Sequence, residues 1–356
     1  MYIFILLLAL YGAKFNFHGY TDDCVSRNQC NAVKGFWIML IFMRHAMQYI
    51  KHGGYKFDFF GDGTAKYFDN HIYQLVVACF LFYSGYGVMT SLMTKGKAYA
   101  DSIPRRRILN TLLNFDVAVL IFIVSDFIVG VNLDAYKVVA SLLAWESVGN
   151  SNWYIFVILV CYFAAYAGYK SCGLFFRETS DGSCGPIGKC AMTTSVFVLA
   201  FMLVMMNIRE KWWSDTVLCF PAGMAFCEYR EKIEDWFRKY YPIFLLLFVG
   251  VLSVLICLIS EHICVSLYPL MHNIAAIDLC ALTVLLSMKV SLGNKALCWF
   301  GANLFPIYIY QRVPMNILSH CCGNSFVCNY PHLFIIISLL ISLVIAYLYR
   351  FWQVKL

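Results

Sequence analysis

The chain has 356 residues, of which 61% are hydrophobic and 13% charged, and its mean hydropathy is +0.69. Soluble domains carry about 25% charged residues, so the composition excludes an ordinary soluble protein and indicates a polytopic membrane protein. The formal net charge of +7 is expected to lie mostly at the inner membrane surface, which argues against nucleic-acid binding.

Apolar stretches close to the roughly 20 residues that a bilayer requires predict the membrane helices. These stretches lie at 1–18, 33–50, 71–93, 111–131, 153–169, 191–206, 215–229, 242–260, 271–288, 299–319 and 332–350. We therefore expect an all-α fold, a polytopic transmembrane helix bundle of about 10–11 membrane helices. The whole of 1–356 is interpreted as a single integral-membrane domain, in which 1–32 form an extra N-terminal helix and linker, 33–350 form the core, and no soluble domain is present.

The positions of Lys and Arg predict how the chain is oriented. If the N-terminus lies outside, most of the 27 Lys and Arg residues fall in cytoplasmic segments, as the positive-inside rule requires. The sequence therefore predicts a multi-pass protein of the plasma (inner) membrane with a cytoplasmic C-terminus.

The run from Lys34 to His52 is apolar, yet Arg44 and His45 interrupt it. The eleven steps from Lys34 to His45 amount to three helical turns plus about 20°, so both side chains share one helix face, about 16 Å apart along the axis. Ionisable residues at such a depth usually line the bundle interior or a wet cavity. We expect His45 to be functional; the alternative is a structural histidine that is paired with a neighbouring helix.

Three adjacent arginines, Arg105, Arg106 and Arg107, precede a helix at the predicted cytoplasmic face. One interpretation is a topology anchor that also binds anionic lipid headgroups. The other is a phosphate clamp, because neighbouring guanidinium groups bind phosphates bidentately.

Most of the 16 cysteines are single residues inside apolar runs, where Cys behaves as a small hydrophobe. Only Cys321, Cys322 and Cys328 cluster, and their spacing matches no standard zinc pattern. We expect a disulfide or free thiols in an outer loop there, with metal binding as the less favoured interpretation.

Six segments, taken in order along almost the whole chain, resemble the acyltransferase family 3 membrane proteins. The first carries a basic residue, a glycine and an apolar run that lead to a histidine after ten intervening residues; here these are Lys34 and His45. The segments are "AVKGFWIMLIFMRHAM", "FLFYSGYGV" (80–88), "PRRRILNTLLNF" (104–115), "NWYIFVILVCYF" (152–163), "FPAGMAFCEYREKIE" (220–234) and "WFGANLFPIYIYQRVP" (299–314).

The resemblance implies a bacterial membrane-bound O-acyltransferase that transfers an acyl group, expected to be acetyl, from acyl-CoA to a hydroxyl of a cell-surface or exported carbohydrate. It implies acetyl-CoA as the donor substrate, no permanently bound cofactor, and membrane lipid and a carbohydrate acceptor as partners. The chain departs from the family at Lys34, where Arg is commoner, and at Gln311, where many members carry His. Many family members also carry a fused outer hydrolase-like domain, and this sequence shows no such domain.

Acyl transfer to an alcohol needs a base, and His45 suits that role because a neutral imidazole accepts protons near neutral pH. Lys34 is the second expected catalytic residue. The oxyanion needs a donor, and the arginines at 105–107 are expected to dock the phosphates of acyl-CoA. The candidates for oxyanion donation or substrate binding are Lys34, Ser84, Tyr86, Trp153 and Tyr154.

Structural interpretations exist for two of these segments. Ser84 and Tyr86 flank a glycine, so this stretch fits a close helix contact, and Trp153 and Tyr154 fit interfacial anchors. Two other functions also fit the sequence: a transporter or flippase of an acylated or anionic substrate, and a catalytically silent family member that serves as a membrane partner.

Overall fold

The computed structural model describes residues 2–56, 62–72, 74–175, 188–263 and 267–356. These ranges are almost entirely helical. The helices are α1 Tyr2–Leu10, α2 Arg27–His52, α3 Gly63–His71, α4 Ala78–Ile103, α5 Asn110–Ile128, α6 Ala135–Leu142, α7 Trp153–Phe175, α8 Gly188–Ile208, α9 Cys219–Glu228, α10 Arg230–Lys239, α11 Tyr241–Ser260, α12 Tyr268–Ser287, α13 Lys295–Ala302, α14 Leu304–Tyr310, α15 Arg312–Asn329 and α16 Pro331–Leu348. The predicted all-α fold is confirmed.

Within the described ranges, six helical segments are long and apolar enough to cross a membrane. They are Leu75–Ile128, Trp153–Cys172, Lys189–Ile208, Tyr241–Ser260, Tyr268–Ser287 and Pro331–Phe351. The segment Tyr241–Ser260 has a mean hydropathy of 3.1 and only 6% of it is buried, as expected for a helix that contacts lipid on most of its surface. This pattern is that of a multi-pass membrane protein.

Several predicted membrane helices differ from the observed elements. The stretch 1–18 contains only the 9-residue helix α1, about 14 Å long, whereas the hydrocarbon core is about 30 Å thick. The stretch 299–319 divides into α13, α14 and α15. Pro306 and Pro314 lie in the first turns of α14 and α15, where the missing N–H group is tolerated. In the stretch 215–229, helix α9 covers 10 residues.

Two pairs of glycines allow helices to pack with their backbones in contact. A Cβ atom at Gly35 of α2 would clash with the carbonyl of Leu297 in α13, and one at Gly301 of α13 would clash with the carbonyl of Asn31. Gly85 of α4 and Gly223 of α9 form the same reciprocal arrangement, which agrees with the structural interpretation of the 84–86 stretch. Small residues fix the helix positions in this way because they let backbones approach closely.

The N-terminal segment is attached to the core by a short antiparallel strand pair. Strand β1, Ala13–Phe15, pairs with β2, Val290–Leu292. Gln29 of α2 holds strand β2 in place, since its Nε2 donates to Val290 O at 3.0 Å and its Oε1 accepts from Leu292 N at 2.9 Å. Helix α2 begins at Arg27, earlier than the predicted core, with the Ser26 side chain as its N-cap.

Helix α4 breaks near the three arginines. Gly96 has φ +52°, a left-handed conformation that only glycine adopts without strain, and α4 changes direction there. A π-helical segment, Pro104–Leu109, follows and carries the arginines.

We predict that Gly35→Ala lowers the thermal stability of the folded protein in detergent, because the added methyl group meets a backbone carbonyl that cannot move aside. Overpacking of this kind costs about 1–3 kcal/mol or more. The matched control is Gly250→Ala on α11, where an added Cβ atom has nothing within 4 Å. Equal melting temperatures for the two variants would contradict the tight α2 and α13 contact.

Candidate functional site

A polar cavity of about 270 Å³ lies beside His45. It is formed by α2, the segment before α4, the loop before α7, and the junction of α14 and α15. The described lining residues are Ile41, Arg44, His45, Gln48, Gln74, Val76, Val77, Asn150, Ser151, Asn152, Trp153, Trp212, Tyr308 and Arg312.

His45 is 8% exposed, and its Nε2 lies 3.4 Å from the Ser151 hydroxyl. Its other ring nitrogen, Nδ1, is buried without a hydrogen-bond partner of good geometry. The amide of Gln311 lies beside the imidazole and interacts with it as a side-chain acceptor. The ring is therefore held between two polar side chains from distant parts of the sequence.

Gln311 is fully buried. Its Nε2 donates to the backbone carbonyl of Tyr308 at 3.1 Å, which assigns the amide orientation, since nitrogen and oxygen are told apart by their partners. The Oε1 atom has no hydrogen-bond partner of its own and is left as the acceptor in the neighbourhood of His45.

The loop before α7 supplies a second polar wall. Asn150 is 5% exposed; its Oδ1 accepts from Val148 N at 3.0 Å, while its Nδ2 is buried without a partner. Asn152 Nδ2 donates to Ala144 O at 2.9 Å, and Gly149 takes φ +88°. These bonds hold the loop in one conformation, so Asn150 Nδ2 is a fixed donor in the cavity wall.

Tyr308 forms a buried part of the cavity wall. Its ring centroid lies 6.3 Å from that of His45 and 5.2 Å from that of Tyr154. The side chain is 2% exposed, and its hydroxyl, close to Ser151, is buried without a well-formed hydrogen bond. A second unsatisfied donor is therefore present beside the imidazole.

Arg312 is the cavity's most unusual lining residue. Its Nη2 donates to Gln48 Oε1, its guanidinium lies 5.9 Å from the Tyr49 ring centroid, and its Nε is buried without a partner. Among the described residues that line the cavity, none is acidic. The charged side chains in this described lining, Arg44 and Arg312, are therefore both positive.

Four of the residues singled out in the sequence belong to a series of side-chain contacts, here called the route, that extends from this cavity along α7. Trp153 lines the cavity, and the Tyr154 ring packs against the Tyr308 ring. The Ser84 hydroxyl lies next to the hydroxyls of Tyr154 and Tyr162. Arg107 reaches the far end of the route, where its guanidinium is 5.9 Å from the Tyr162 ring centroid and its Nε donates to Tyr99 at 3.1 Å.

All three arginines, Arg105, Arg106 and Arg107, are exposed, but within the described residues only Arg107 contacts these tyrosines. Of the three adjacent arginines, Arg107 alone connects to the route toward His45. The structure therefore separates residues that the sequence presents as one cluster.

Lys34 and Tyr86 lie away from the cavity. Lys34 is half-buried on α2, about 16 Å along the helix axis from His45, and does not line the cavity. Tyr86 accepts a hydrogen bond from Arg230 at 3.1 Å, and Arg230 also pairs with Asp23 at 2.7 Å and Glu234 at 2.5 Å. The structure gives Tyr86 a place in an ion-pair cluster instead of beside His45.

The predicted cysteine loop is a helix. Cys321, Cys322 and Cys328 belong to α15 and are free thiols; the Cys328 thiol donates to Gly53 O at 2.5 Å. Within the ranges that the structure describes, no three metal-ligating side chains come together.

Sequence reasoning missed Asn150, Ser151, Tyr308 and Arg312. A signal was present for the first two, because "NSNWY" (150–154) places polar side chains directly before an apolar helix. Nothing in the local sequence assigns Tyr308 or Arg312 to His45, since they are more than 250 residues away from it in the chain.

Comparison with known proteins found no matching family model, no similar curated protein and no similar solved structure. The functional assignment therefore depends on the site and on the sequence motifs.

Proposed function

We propose that the chain is a membrane-bound O-acyltransferase that transfers an acyl group, expected to be acetyl, from acyl-CoA to a carbohydrate hydroxyl. The observation that carries the proposal is the environment of His45. A buried imidazole faces a polar cavity through Nε2, next to a hydroxyl that marks where an alcohol can approach. Such a group is suited to remove the proton of an attacking alcohol.

Gln311 supports this role by orienting the imidazole. Because Ser151 lies at Nε2, we assign the Gln311 contact to Nδ1, where Oε1 would accept the ring proton. That tautomer leaves the Nε2 lone pair directed at the acceptor hydroxyl. Gln311 would thus fix the histidine tautomer in the way that the acidic residue of a catalytic triad does. At position 311, where many acyltransferase family 3 members carry a histidine, the amide oxygen of Gln311 would be a neutral hydrogen-bond acceptor.

In the proposed reaction, Nε2 takes the hydroxyl proton as the oxygen bonds to the thioester carbonyl carbon. The resulting oxyanion needs donors, and Asn150 Nδ2 and the Tyr308 hydroxyl are the buried unsatisfied donors nearby. As the oxyanion collapses, the carbon–sulfur bond breaks, and the departing thiolate takes the proton from the imidazolium. The products are the O-acyl ester and free CoA.

The donor would reach His45 from the other end of the route. Trp153 in the cavity wall and Tyr162 beneath Arg107 are nine residues apart on α7, which is about 14 Å along the helix. The pantetheine arm of CoA is longer than this when extended, so phosphates held at Arg107 leave the thioester within reach of the cavity. By the charge distribution, the Arg107 end faces the cytoplasm of an inner membrane, as does the C-terminus.

A transporter or flippase of an acylated or anionic substrate is the second candidate, and the positive cavity lining favours it. A transporter would not consume the donor. Release of free CoA thiol, coupled to formation of a base-labile ester on carbohydrate, therefore distinguishes the two functions.

We predict that His45→Gln lowers acyl transfer from radiolabelled acetyl-CoA to membrane carbohydrate by roughly 10²- to 10⁴-fold, the usual contribution of a general base. Gln retains similar size and hydrogen bonding but cannot accept the proton. The measurement is label in base-labile ester, normalised to folded protein.

The matched control for this variant is His52→Gln, at an exposed position of the same helix, which should transfer at the wild-type rate. A His45→Gln variant that transfers at near wild-type rate would show that His45 is structural.

We predict that Arg107→Gln weakens binding of CoA about tenfold to a hundredfold, because a charge-assisted hydrogen bond contributes about 1.5–3 kcal/mol. The loss should shrink as salt is raised. The control is Arg106→Gln, because the Arg106 side chain does not share the tyrosine contacts of Arg107, and topology is checked in both variants. Equal dissociation constants for the two variants would return all three arginines to a lipid-anchoring role.

A further inference from the structure

The cavity beside His45 holds a guanidinium group with neutral partners. The contacts of Arg312 within the described part of the chain are Gln48 and the Tyr49 ring, and neither carries negative charge. One of its donors, Nε, is buried and makes no hydrogen bond. Arg312 is half-buried and its contact with Gln48 is exposed, so the cost falls on the buried Nε donor, which an anion in the cavity would satisfy.

The neutral groups around Arg312 point to the same ligand chemistry. Asn150 presents a buried and unsatisfied N–H donor to the cavity, and no described lining residue supplies a carboxylate. A guanidinium and an amide donor that line the same cavity match the oxygens of a carboxylate or phosphate, which accept several charge-assisted hydrogen bonds at once.

We propose that this cavity binds an acidic group of the acyl acceptor, a sugar carboxylate or sugar phosphate, through Arg312 and Asn150. The inference rests on the proposed acyltransferase function and names its substrate class: an acidic carbohydrate. The acidic group lies against Arg312 while a hydroxyl of the same sugar lies at Nε2 of His45. Arg312 and Asn150 then determine which carbohydrates can serve as acyl acceptors.

The size and place of the cavity favour the acceptor over the donor as the source of the anion. Its volume of about 270 Å³ is below the roughly 300–1,000 Å³ of sites for drug-sized ligands, which suits one substituted sugar ring better than a nucleotide. The donor's phosphates have their own cation, Arg107, at the other end of the route.

An acidic acceptor would also assist the chemistry. Arg312 and Arg44 line the same cavity as His45 and both disfavour a positive charge on the imidazole, which gains a proton during the proposed transfer. A bound anion offsets the guanidinium charge at that moment, because opposite charges attract strongly where water is excluded. The acceptor would thereby help to activate the base that deprotonates it.

The test compares binding of matched acidic and neutral ligands to the purified full chain without donor. The probes are octyl glucuronide against octyl glucoside, and glucose 6-phosphate against glucose. We expect wild-type protein to bind at least one acidic probe about tenfold to a hundredfold more tightly than its neutral counterpart, the range for hydrogen bonds to charged groups. Arg312→Gln should abolish this preference and leave binding of the neutral probe unchanged.

Two further variants separate recognition from folding. Arg312→Lys should retain part of the preference, because it keeps the charge without the planar fork. Asn150→Asp adds a negative charge to the same cavity and should remove the preference even if Arg312→Gln proves unstable. Wild-type binding that is no tighter for either acidic probe would overturn the proposal.

A fourth measurement distinguishes the two sources of phosphate or carboxylate. Binding of CoA should be unchanged in Arg312→Gln; weakened CoA binding would assign the anion to the donor and overturn the acceptor assignment. Because no probe is acylated in these measurements, a failure of acyl transfer would refute the proposed function while the acid preference at Arg312 stands.

Discussion

The low dielectric constant of the apolar bundle is the constraint on which the site depends. In such surroundings a polar or charged group is costly unless another group satisfies it. His45 meets this constraint at Nε2 through Ser151, while Nδ1 has the Gln311 amide nearby but no well-formed hydrogen bond. Arg312 meets it only in part, since Gln48 and Tyr49 are neutral. Under the proposed function, a ligand that supplies both an alcohol and a negative charge would satisfy the remaining polar groups of the cavity.

Helix packing makes this arrangement rigid. The glycine contact between α2 and α13 fixes the start of the helix that carries His45, and the hydrogen bonds of the loop before α7 fix Asn150. Side chains held in this way need little reorganisation as charge develops, which is what transition-state stabilisation requires. Tyrosine side chains form contacts between the surroundings of His45 and Arg107, and under the proposed function the two substrates need not enter from the same face.

Periodicity and hydropathy predicted the all-α fold and most of the long apolar helices, because both depend on local sequence. They failed at α1 and at 299–319, where helix length and breaks depend on neighbouring elements. His45 was predicted as a site residue because an ionisable group in an apolar run is unusual on its own, whereas Trp153 was predicted only from a segment that resembles a family motif. Gln311 could be noted only as a departure from a motif; its contact with His45 is made by folding, which joins positions more than 250 residues apart.

The central claim is that an acyl group passes from a donor held at Arg107 to an acceptor held at His45, with the two substrates entering from opposite faces. The most direct measurement uses proteoliposomes of known protein orientation, with labelled acetyl-CoA confined to the face that exposes Arg107 and the acidic acceptor confined to the other. The account predicts labelled ester on the acceptor in the opposite compartment, and none in vesicles that contain His45→Gln. Ester formation only when both substrates share one compartment would contradict it.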